Sequence, residues 1–515
     1  MRLPFPERIP LPLAIVGATL LTGMQQLQQT SVLFSFYTFV FILIATITFN
    51  AAGGFTRASG SYVFFYAVLG LILGLVYKAY LGEPGDSNLR VPILTLKVFT
   101  GGITGMLVAV LLSQRITRKR PLLGNLLKEK DMRNATIGCF AFGLFLNLIN
   151  ALIPHQNGTV LSAITQLNRF LQMSVVLSAL YTIKRTRGKS AISVLVVLSL
   201  GVSSIFGLLI FSKEGMFTPY LCWFAAACSL RFKIRPMQIV FGAVAVFLMM
   251  HYLVPYSQYG RNQIPEVATL EDRAAVAIRL LSDLGNVREQ YIETTPDTQE
   301  IRAMQYYSEP QGFFDRLTMI GPDDSMIDYA QRNGFTGLAV LGADFANWIP
   351  HFIWPNKPLI ASGNAYAHRI GGVVNDDDTS TGISFTPSGQ AYLLAGWFGI
   401  FVAAPLVWTL LFTVFDSLCG DVRTSPWGLL VIALFAHIAP EGMLDGAIYI
   451  VWFGTVGVVF VAVTTSYAMP LIGTLMAGPE KTGLVRLLPP RTQLRRARPI
   501  NSPHPTTLPA PDTSN

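Results

Sequence analysis

The sequence of 515 residues is 51% hydrophobic and only 13% charged, whereas soluble domains carry roughly 25% charged residues, which excludes an ordinary water-soluble protein. Its net charge of +9 does not indicate nucleic-acid binding, because residues 256 to 388 hold nine Lys or Arg and seventeen Asp or Glu. The basic excess therefore lies in short loops and in the tail, where the positive-inside rule predicts it for a membrane protein.

Apolar runs of about twenty residues, each long enough to cross the hydrocarbon core of a bilayer, recur along the chain. They predict an all-α polytopic membrane protein with about twelve spans, near residues 11–28, 31–50, 61–80, 92–113, 134–153, 162–183, 190–211, 215–230, 237–255, 387–415, 427–445 and 447–467. The first run follows Arg2 and Arg8 and is predicted to be an uncleaved first helix. Basic stretches such as RITRKRP and KRTRGK fall in alternate loops, which predicts cytoplasmic N- and C-termini.

A long polar segment separates the ninth and tenth predicted spans and faces outward in this orientation. Its pattern predicts a surface helix from Leu270 to Tyr291, two short helices broken at Gly321 and Pro322, and an interfacial or re-entrant helix before Trp348. The predicted organisation is spans 1–9 over residues 1–255, an outward loop region over 256–386, spans 10–12 over 387–470, and a basic, Pro-rich, disordered cytoplasmic tail over 471–515.

No local motif indicates a metal, a nucleotide or a disulfide. The six histidines lack metal-ligand spacing, the four cysteines form no CxxC pair, and the sequence contains no P-loop or GxSxG elbow. We therefore expect no cofactor and no metal. The acidic stretch from Asn375 to Ser380 is interpreted as a solvated loop, and Glu441 and Asp445 as part of a turn at the outer mouth of the last hairpin.

Two cations stand out within or beside the predicted spans. Arg169 lies about eight residues into the sixth span, which is roughly 12 Å deep at about 1.5 Å per residue. A buried guanidinium is costly, so Arg169 is either functional or reaches outward or bonds Asn147, Asn150 or Gln166. Lys213 lies at the outer end of the seventh span, where it is either an interfacial anchor or a ligand of a lipid-linked diphosphate.

The outward segment contains side chains that suit sugars and phosphates: Asp315, Arg316, Asp344, Trp348, His351, Trp354, Lys357, His368 and Arg369. Aromatic faces stack on sugar rings, cations hold phosphate, and a carboxylate or imidazole can accept a proton from a hydroxyl. Tryptophans at a membrane interface are also ordinary anchors, so this composition alone does not separate a catalytic loop from interfacial packing.

Three stretches, taken in their order along the chain, resemble a known family. FFDRLTMI, GFTGLAVLGADFANWIPHFIWPNKP and TPSGQAYLLAGWFGIFVAA, within residues 311–402, resemble the bacterial oligosaccharide repeat-unit polymerases of the O-antigen polymerase type. That family carries a Pro-Arg, Trp-Pro, Lys-Pro signature in an outward loop and a Gly-Glu-x-Tyr stretch at the start of the next span. Here His351 stands where the family has arginine, and Gln390 where it has glutamate. Histidine lacks the bidentate fork of arginine, and glutamine cannot act as a base.

The resemblance implies a metal-independent membrane glycosyltransferase with a C-type-like fold in the bacterial inner membrane. Its substrate would be an undecaprenyl-diphosphate-linked oligosaccharide, which it would polymerise into O-antigen or exopolysaccharide. Its partners would be membrane lipids and the flippase and chain-length regulator of the same pathway. The alternatives are an O-antigen ligase, a lipid-linked oligosaccharide transporter or flippase, and a non-catalytic partner of an export machine.

The same resemblance implies roles for individual residues. The expected ligands of phosphate or glycan are Arg316, Lys213, Arg169, Lys357 and Arg369. The expected general base is His351, with Asp344 and His368 behind it. The expected acceptor groove is formed by Trp348, Trp354 and Gln390.

Overall fold

The structure is a computed structural model that describes residues 1–152, 167–264, 269–294, 304–311, 314–346, 348–349, 353–354, 362–370 and 382–478. The side chains of Thr294, Arg316, Ala343 and Ser362 lie outside this description. Over these ranges the regular secondary structure is helical, apart from two isolated β-bridges, which confirms the predicted all-α class. The predicted tail lies outside the described residues from residue 479 onward.

Helices follow one another along the described chain. The first half contains α1 (Leu11–Leu27), α2 (Val32–Ala52), α3 (Ala58–Leu81), α4 (Pro92–Ile116), α5 (Met132–Leu152), α6 (Phe170–Arg185), α7 (Val194–Leu209), α8 (Lys213–Ser229) and α9 (Pro236–Arg261). The second half contains α10 (Leu270–Ser282), α11 (Leu284–Thr294), α12 (Ile320–Asn333), α13 (Ala339–Ala346), α14 (Ser362–Ile370), α15 (Pro387–Phe398), α16 (Ala404–Cys419), α17 (Pro426–Glu441), α18 (Met443–Tyr467) and α19 (Met469–Ala477).

Within the described ranges, seven helical stretches are long and apolar enough to cross a membrane: Val32–Thr56, Ala58–Leu81, Pro92–Ile116, Glu129–Leu152, Pro236–Arg261, Pro387–Cys419 and Met443–Tyr467. The protein is therefore a polytopic membrane protein, as predicted. The other five predicted spans overlap α1, α6, α7, α8 and α17, which have 16 or 17 residues. Helices of that length extend only about 24 to 26 Å, so the count of twelve spans stays a prediction.

The bundle has two ends, each defined by contacts between helix termini. At the upper end, α3 stops and α4, α15 and α18 start; there Gly442 pairs with Phe385 and joins the start of α18 to the start of α15. At the lower end, α3 and α17 start and α4 and α16 stop; there the N–H of Val422 donates to the carbonyl of Thr56 at 3.0 Å. Between the ends, α2 packs on α4, α4 on α16, and α3 on α17, around one apolar core.

Two adjacent buried aspartates on α12 hold the starts of two membrane helices. Asp324 accepts hydrogen bonds from the backbone N–H groups of Arg90 and Val91, just before α4. Asp323 accepts from the backbone N–H of Thr386 at 2.9 Å and from its hydroxyl, just before α15. Burial raises the pKa of Asp323 to about 7. Helix α12 therefore fastens α4 and α15 to each other at the upper end.

The predicted break at Gly321 and Pro322 is wrong. The structure has a 3₁₀ turn at Phe314–Leu317 and then one continuous helix, α12, that starts at Ile320. Pro322 is the third residue of α12, where a backbone N–H has no intrahelical partner, so the proline removes no hydrogen bond.

The predicted tenth span is kinked rather than straight. Two residues of α15, Ala395 and Gly396, leave the helical conformation, and Gly396 adopts a φ of +59°, which favours glycine. A Cβ at Gly396 would lie 2.5 Å from the Phe335 ring. Near this kink the carbonyl of Leu393 accepts a hydrogen bond from the N–H of Thr336 at 3.0 Å. The segment between α12 and α13 therefore satisfies a backbone carbonyl of α15 near the kink.

The predicted surface helix near residues 270–291 is two helices, because the chain turns at Asp283. On α10 the buried side chains are Ala277 and Leu280, whereas Ile278 and Leu281 of the predicted apolar stripe are exposed. The placement of this helix on a membrane surface stays a prediction.

Candidate functional site

A buried glutamine lies at the start of α15, next to the start of α18. Thr386 caps α15, its hydroxyl oxygen accepting from the N–H of Gly389 at 3.1 Å, and Gln390 follows in the first turn. The pairing of Phe385 with Gly442 brings the first residues of α18 alongside this turn. Backbone contacts at two helix termini therefore set the position of the Gln390 side chain.

The amide of Gln390 uses its full hydrogen-bonding capacity. Its Oε1 accepts from the backbone N–H groups of Leu444 (2.7 Å) and Asp445 (3.3 Å). Its Nε2 donates to the carboxyl group of Asp445 and to the hydroxyl of Tyr366 at 3.0 Å. Because backbone N–H groups can only donate, they fix the oxygen end of the amide, and the nitrogen end must face Asp445 and Tyr366.

Two carboxyl groups meet beside this amide. Asp344 on α13 and Asp445 on α18 are 6% and 8% exposed, and their carboxyl groups lie close enough to interact; the Oδ2 atom of each is buried without a hydrogen-bond donor in the described ranges. Two buried carboxyl groups that interact do not both ionise readily, so the protonated form of one of them is favoured. Burial, and then the negative charge of Asp445, raises the pKa of Asp344 to about 8. We call Asp344 and Asp445 the acid pair; near neutral pH Asp344 holds its proton.

Stacked tryptophans lie next to the acid pair. Trp348 follows α13, and its Nε1 donates to the carbonyl of Ile448 at 3.1 Å, less than one turn beyond Asp445 along α18. Its ring stacks on that of Trp452, with centroids 5.6 Å apart and planes at 12°. Trp452 keeps 43% of its surface exposed. An aromatic surface therefore borders the acid pair and remains accessible.

Helix α14 covers the other side of Gln390. Tyr366 is 2% exposed, and burial, followed by the charge of Asp445, raises its pKa to about 12, so the phenol stays neutral. The guanidinium of Arg369 lies 5.9 Å from the centroid of the Tyr366 ring, and Arg369 is exposed. His368 on the same helix is half-buried. The guanidinium of Arg369 and the imidazole of His368 thus lie within one helical turn of Tyr366, which is hydrogen-bonded to Gln390.

The prediction for Arg169 is corrected. Helix α6 starts at Phe170, so Arg169 immediately precedes the helix rather than lying eight residues within it. Its guanidinium pairs with Glu214 of α8 at 3.2 Å, a carboxylate that the sequence reasoning did not connect with it. The ion pair lies within electrostatic reach of Tyr449, one turn beyond Asp445 on α18. Lys213 precedes Glu214 and starts α8.

Three of the predicted site residues lie wholly or partly outside the described part of the chain. His351 and Lys357 lie outside the described residues, as does the side chain of Arg316, whose backbone belongs to the turn Phe314–Leu317. Trp354 is described and is 41% exposed. The roles predicted for these residues stay predictions.

Of the predicted residues, the structure brings Asp344, Trp348 and Gln390 together. It adds Asp445 and Tyr366, which sequence reasoning did not select as site residues. For Asp445 a signal existed, since an acidic residue at the edge of an apolar span is costly and is a functional candidate by default. For Tyr366 nothing in the local pattern distinguishes it from a packing residue.

The site is arranged for proton transfer and polar binding. Among the described residues, no group of three or more His, Cys, Asp or Glu side chains is placed to hold a metal ion. The acid pair supplies an acceptor and a donor of protons in one place, and the exposed tryptophan face and Arg369 supply surfaces for a sugar ring and a phosphate.

The acid pair is expected to make stability depend on pH. The pKa of Asp344 is raised from 3.8 to about 8, so between these values the folded protein keeps a proton that the unfolded chain releases. Asp323 acts in the same direction, with its pKa raised to about 7. The unfolding midpoint in detergent should therefore fall as pH rises from 5 to 8.5. Asp344→Asn should make this fall smaller, whereas the exposed-site control Asp283→Asn should keep the wild-type slope; equal slopes in all three proteins would contradict the assignment.

Comparison of the chain with protein-family models, curated proteins and solved structures found no match.

Proposed function

We propose that the protein is a membrane glycosyltransferase that polymerises undecaprenyl-diphosphate-linked oligosaccharides at the outer face of the bacterial inner membrane. The proposal includes twelve spans, cytoplasmic termini and an outward upper end. The observation that carries it is the acid pair, held by Gln390 and bordered by the exposed Trp348–Trp452 stack. The resemblance of residues 311–402 to repeat-unit polymerases supports the same class.

The acid pair can supply the general base that a glutamine at position 390 cannot. The family that residues 311–402 resemble has glutamate at this position, and Gln390 cannot accept a proton there. In this chain the Nε2 of Gln390 is hydrogen-bonded to the carboxyl of Asp445. The carboxyl group of Asp445 is thus hydrogen-bonded directly to the residue that replaces the family's glutamate. We assign Gln390 the role of a positioning residue.

The proposed reaction is a single displacement. The terminal hydroxyl oxygen of the acceptor glycan attacks the anomeric carbon of the donor, while the bond from that carbon to the diphosphate oxygen breaks. The diphosphate leaves with the bonding electrons, and the hydroxyl proton passes to the ionised member of the acid pair. The protonated member, Asp344, adds no second negative charge in this buried position.

Cations near the upper end would stabilise the diphosphate as it leaves. Arg369 is exposed and lies close to Tyr366, so it is the best placed of the described candidates. Arg169 is weaker in this role, because Glu214 already pairs with its guanidinium. Arg316, Lys213 and Lys357 remain proposed ligands from the sequence pattern.

The test is reconstitution of the purified protein in liposomes with an undecaprenyl-diphosphate-linked oligosaccharide as the sole substrate. A ladder of products longer by whole repeat units supports polymerisation. Products that form only after a lipid A core acceptor is added indicate a ligase. Absence of any new glycosidic bond with either acceptor overturns glycosyl transfer.

One observation also favours a second candidate, a proton-coupled transporter of lipid-linked oligosaccharide. Buried acids that share a proton near a membrane are typical of proton relays in transporters. In the same liposomes, movement of the labelled lipid across the bilayer, driven by a pH gradient and without change in glycan length, would identify transport instead of transfer.

A further inference from the structure

A polar cavity lies at the lower end of the bundle, whereas the acid pair lies at the upper end. It has a volume of about 350 Å³ and lies among the end of α2, the start of α3, the last turn of α4 and the end of α16. The polar side chains that line it are Arg57, Gln114, Thr117, Arg118, Lys119 and Asp416. Three of these six are cations and one is an anion.

The single carboxylate in the cavity is already engaged. Asp416 accepts from the backbone N–H of Ser59 at 3.1 Å and from its hydroxyl at 2.7 Å, so both oxygens are committed to the start of α3. The nearby Asp421 is paired with Arg423. In the part of the chain that the structure describes, no carboxylate forms an ion pair with Arg118 or Lys119. The cavity therefore keeps an excess of positive charge.

The surroundings of the cavity match a lipid. Near the cavity, α4 presents Leu111, one turn before Gln114 and 50% exposed, and α2 presents Ile47, one turn before Ala51 and 43% exposed. Cationic side chains at the end of a membrane span, next to accessible apolar side chains, suit a molecule with an anionic head and acyl chains. Arginine in particular can hold two phosphate oxygens at once.

We infer that this cavity binds the phosphate group of an anionic phospholipid. Arg57, Arg118 and Lys119 contact the phosphate oxygens, and the acyl chains lie along the exposed apolar residues of α2 and α4. The inference does not depend on the proposed glycosyl transfer, because the cavity lies at the other end of the bundle. Free phosphate shares the recognised chemistry, so the experiment must separate the two sources.

The test uses the full-length protein in detergent, titrated with short-chain phosphatidylglycerol and, separately, with phosphatidylcholine of the same chain length. Bound lipid is counted by native mass spectrometry. Arg118→Gln together with Lys119→Gln should weaken phosphatidylglycerol binding by about 30-fold, taking about 1 kcal/mol per cation near an anionic lipid. Arg118→Lys with Lys119→Arg, which keeps both charges, should retain most of the binding.

The matched control is Lys128→Gln with Lys130→Gln, which removes two exposed charges from the same basic region outside the cavity. This control should change binding by less than about 3-fold if the cavity, and not general charge, recognises the lipid. Equal losses in the two double variants, or equal binding of phosphatidylcholine, overturn the inference. Inorganic phosphate at millimolar concentration should not displace the lipid; displacement with the same dependence on Arg118 and Lys119 would assign the cavity to free phosphate and overturn the lipid assignment.

Discussion

Replacing Asp445 by Asn is expected to lower glycan polymerisation by about 10²- to 10⁴-fold, the usual contribution of a general base, while the protein stays folded. The side-chain oxygen of the asparagine can still accept the hydrogen bond from the Nε2 of Gln390. The substitution removes the carboxyl group that accepts the hydroxyl proton and leaves the protonated Asp344 without a charged neighbour. The paired carboxyls can then no longer titrate as a unit, and the pH profile of the reaction should change with the rate.

The measurement is the rate of ladder formation by the purified variant in liposomes, together with the length of surface polysaccharide in cells that carry it. Asp283→Asn is the matched control, because Asp283 is exposed and its Oδ1 accepts only a local bond from the N–H of Asn286, which asparagine can also accept. Asp344→Asn, whose neutral amide replaces the protonated acid, is expected to lose less activity while its pH profile changes. If Asp445→Asn polymerises at the wild-type rate with an unchanged pH profile, the acid pair is not the base.

Replacing Gln390 by Ala is expected to have the largest effect on stability. The change leaves the backbone N–H groups of Leu444 and Asp445, one carboxyl oxygen of Asp445 and the hydroxyl of Tyr366 without their partner in a buried position. Each buried group that loses its partner costs about 1 to 3 kcal/mol. A loss of several kcal/mol should appear as a large drop in the thermal unfolding midpoint in detergent.

Two companion variants separate packing from proton chemistry. Gln390→Glu keeps the volume and still accepts from the two backbone N–H groups, but it adds a third carboxyl next to Asp445. It should fold better than the alanine variant and move the pH dependence of polymerisation to higher pH, because the added acid favours protonation of the cluster. Gln263→Ala, at an exposed glutamine, should leave the midpoint within about 0.5 kcal/mol of wild type. A stable Gln390→Ala protein would show that the amide network does not hold α15 to α18.

The helical architecture follows from the sequence because membrane spans have a strong local signature. Apolar length predicts the seven long helices directly, since an α-helix satisfies the backbone groups of a spanning segment within that segment. The errors occur where a local rule has an exception. Pro322 normally indicates a break, yet it sits where a helix tolerates proline. Gly396 looks like part of a continuous span, yet it leaves the helical conformation beside Phe335.

The site is harder to predict from the sequence than the helices are, because its residues are far apart in the chain. Asp344 and Gln390 can be selected from their chemistry and from the resemblance. Asp445 lies about a hundred residues beyond Asp344, in a stretch that looks like an ordinary turn, and the pairing of Phe385 with Gly442 and the hydrogen bonds to Gln390 bring it into place. The prediction for Arg169 failed for a different reason, because it placed the residue too deep in a helix. Its apparent depth depends on where a helix starts, and Glu214, which neutralises it, lies on another helix.

The adjacent aspartates of α12 have a mechanical consequence. Because Asp323 and Asp324 are neighbours on one rigid helix, they fix the axial offset between α4 and α15. Gln390, which is bonded to Asp445, follows Thr386 by four residues on α15. Helix α12 thus couples the position of α4 to the position of the amide that holds Asp445, although within the described chain the side chains of Asp323 and Asp324 themselves bond only to groups at the starts of the two membrane helices and to Thr95.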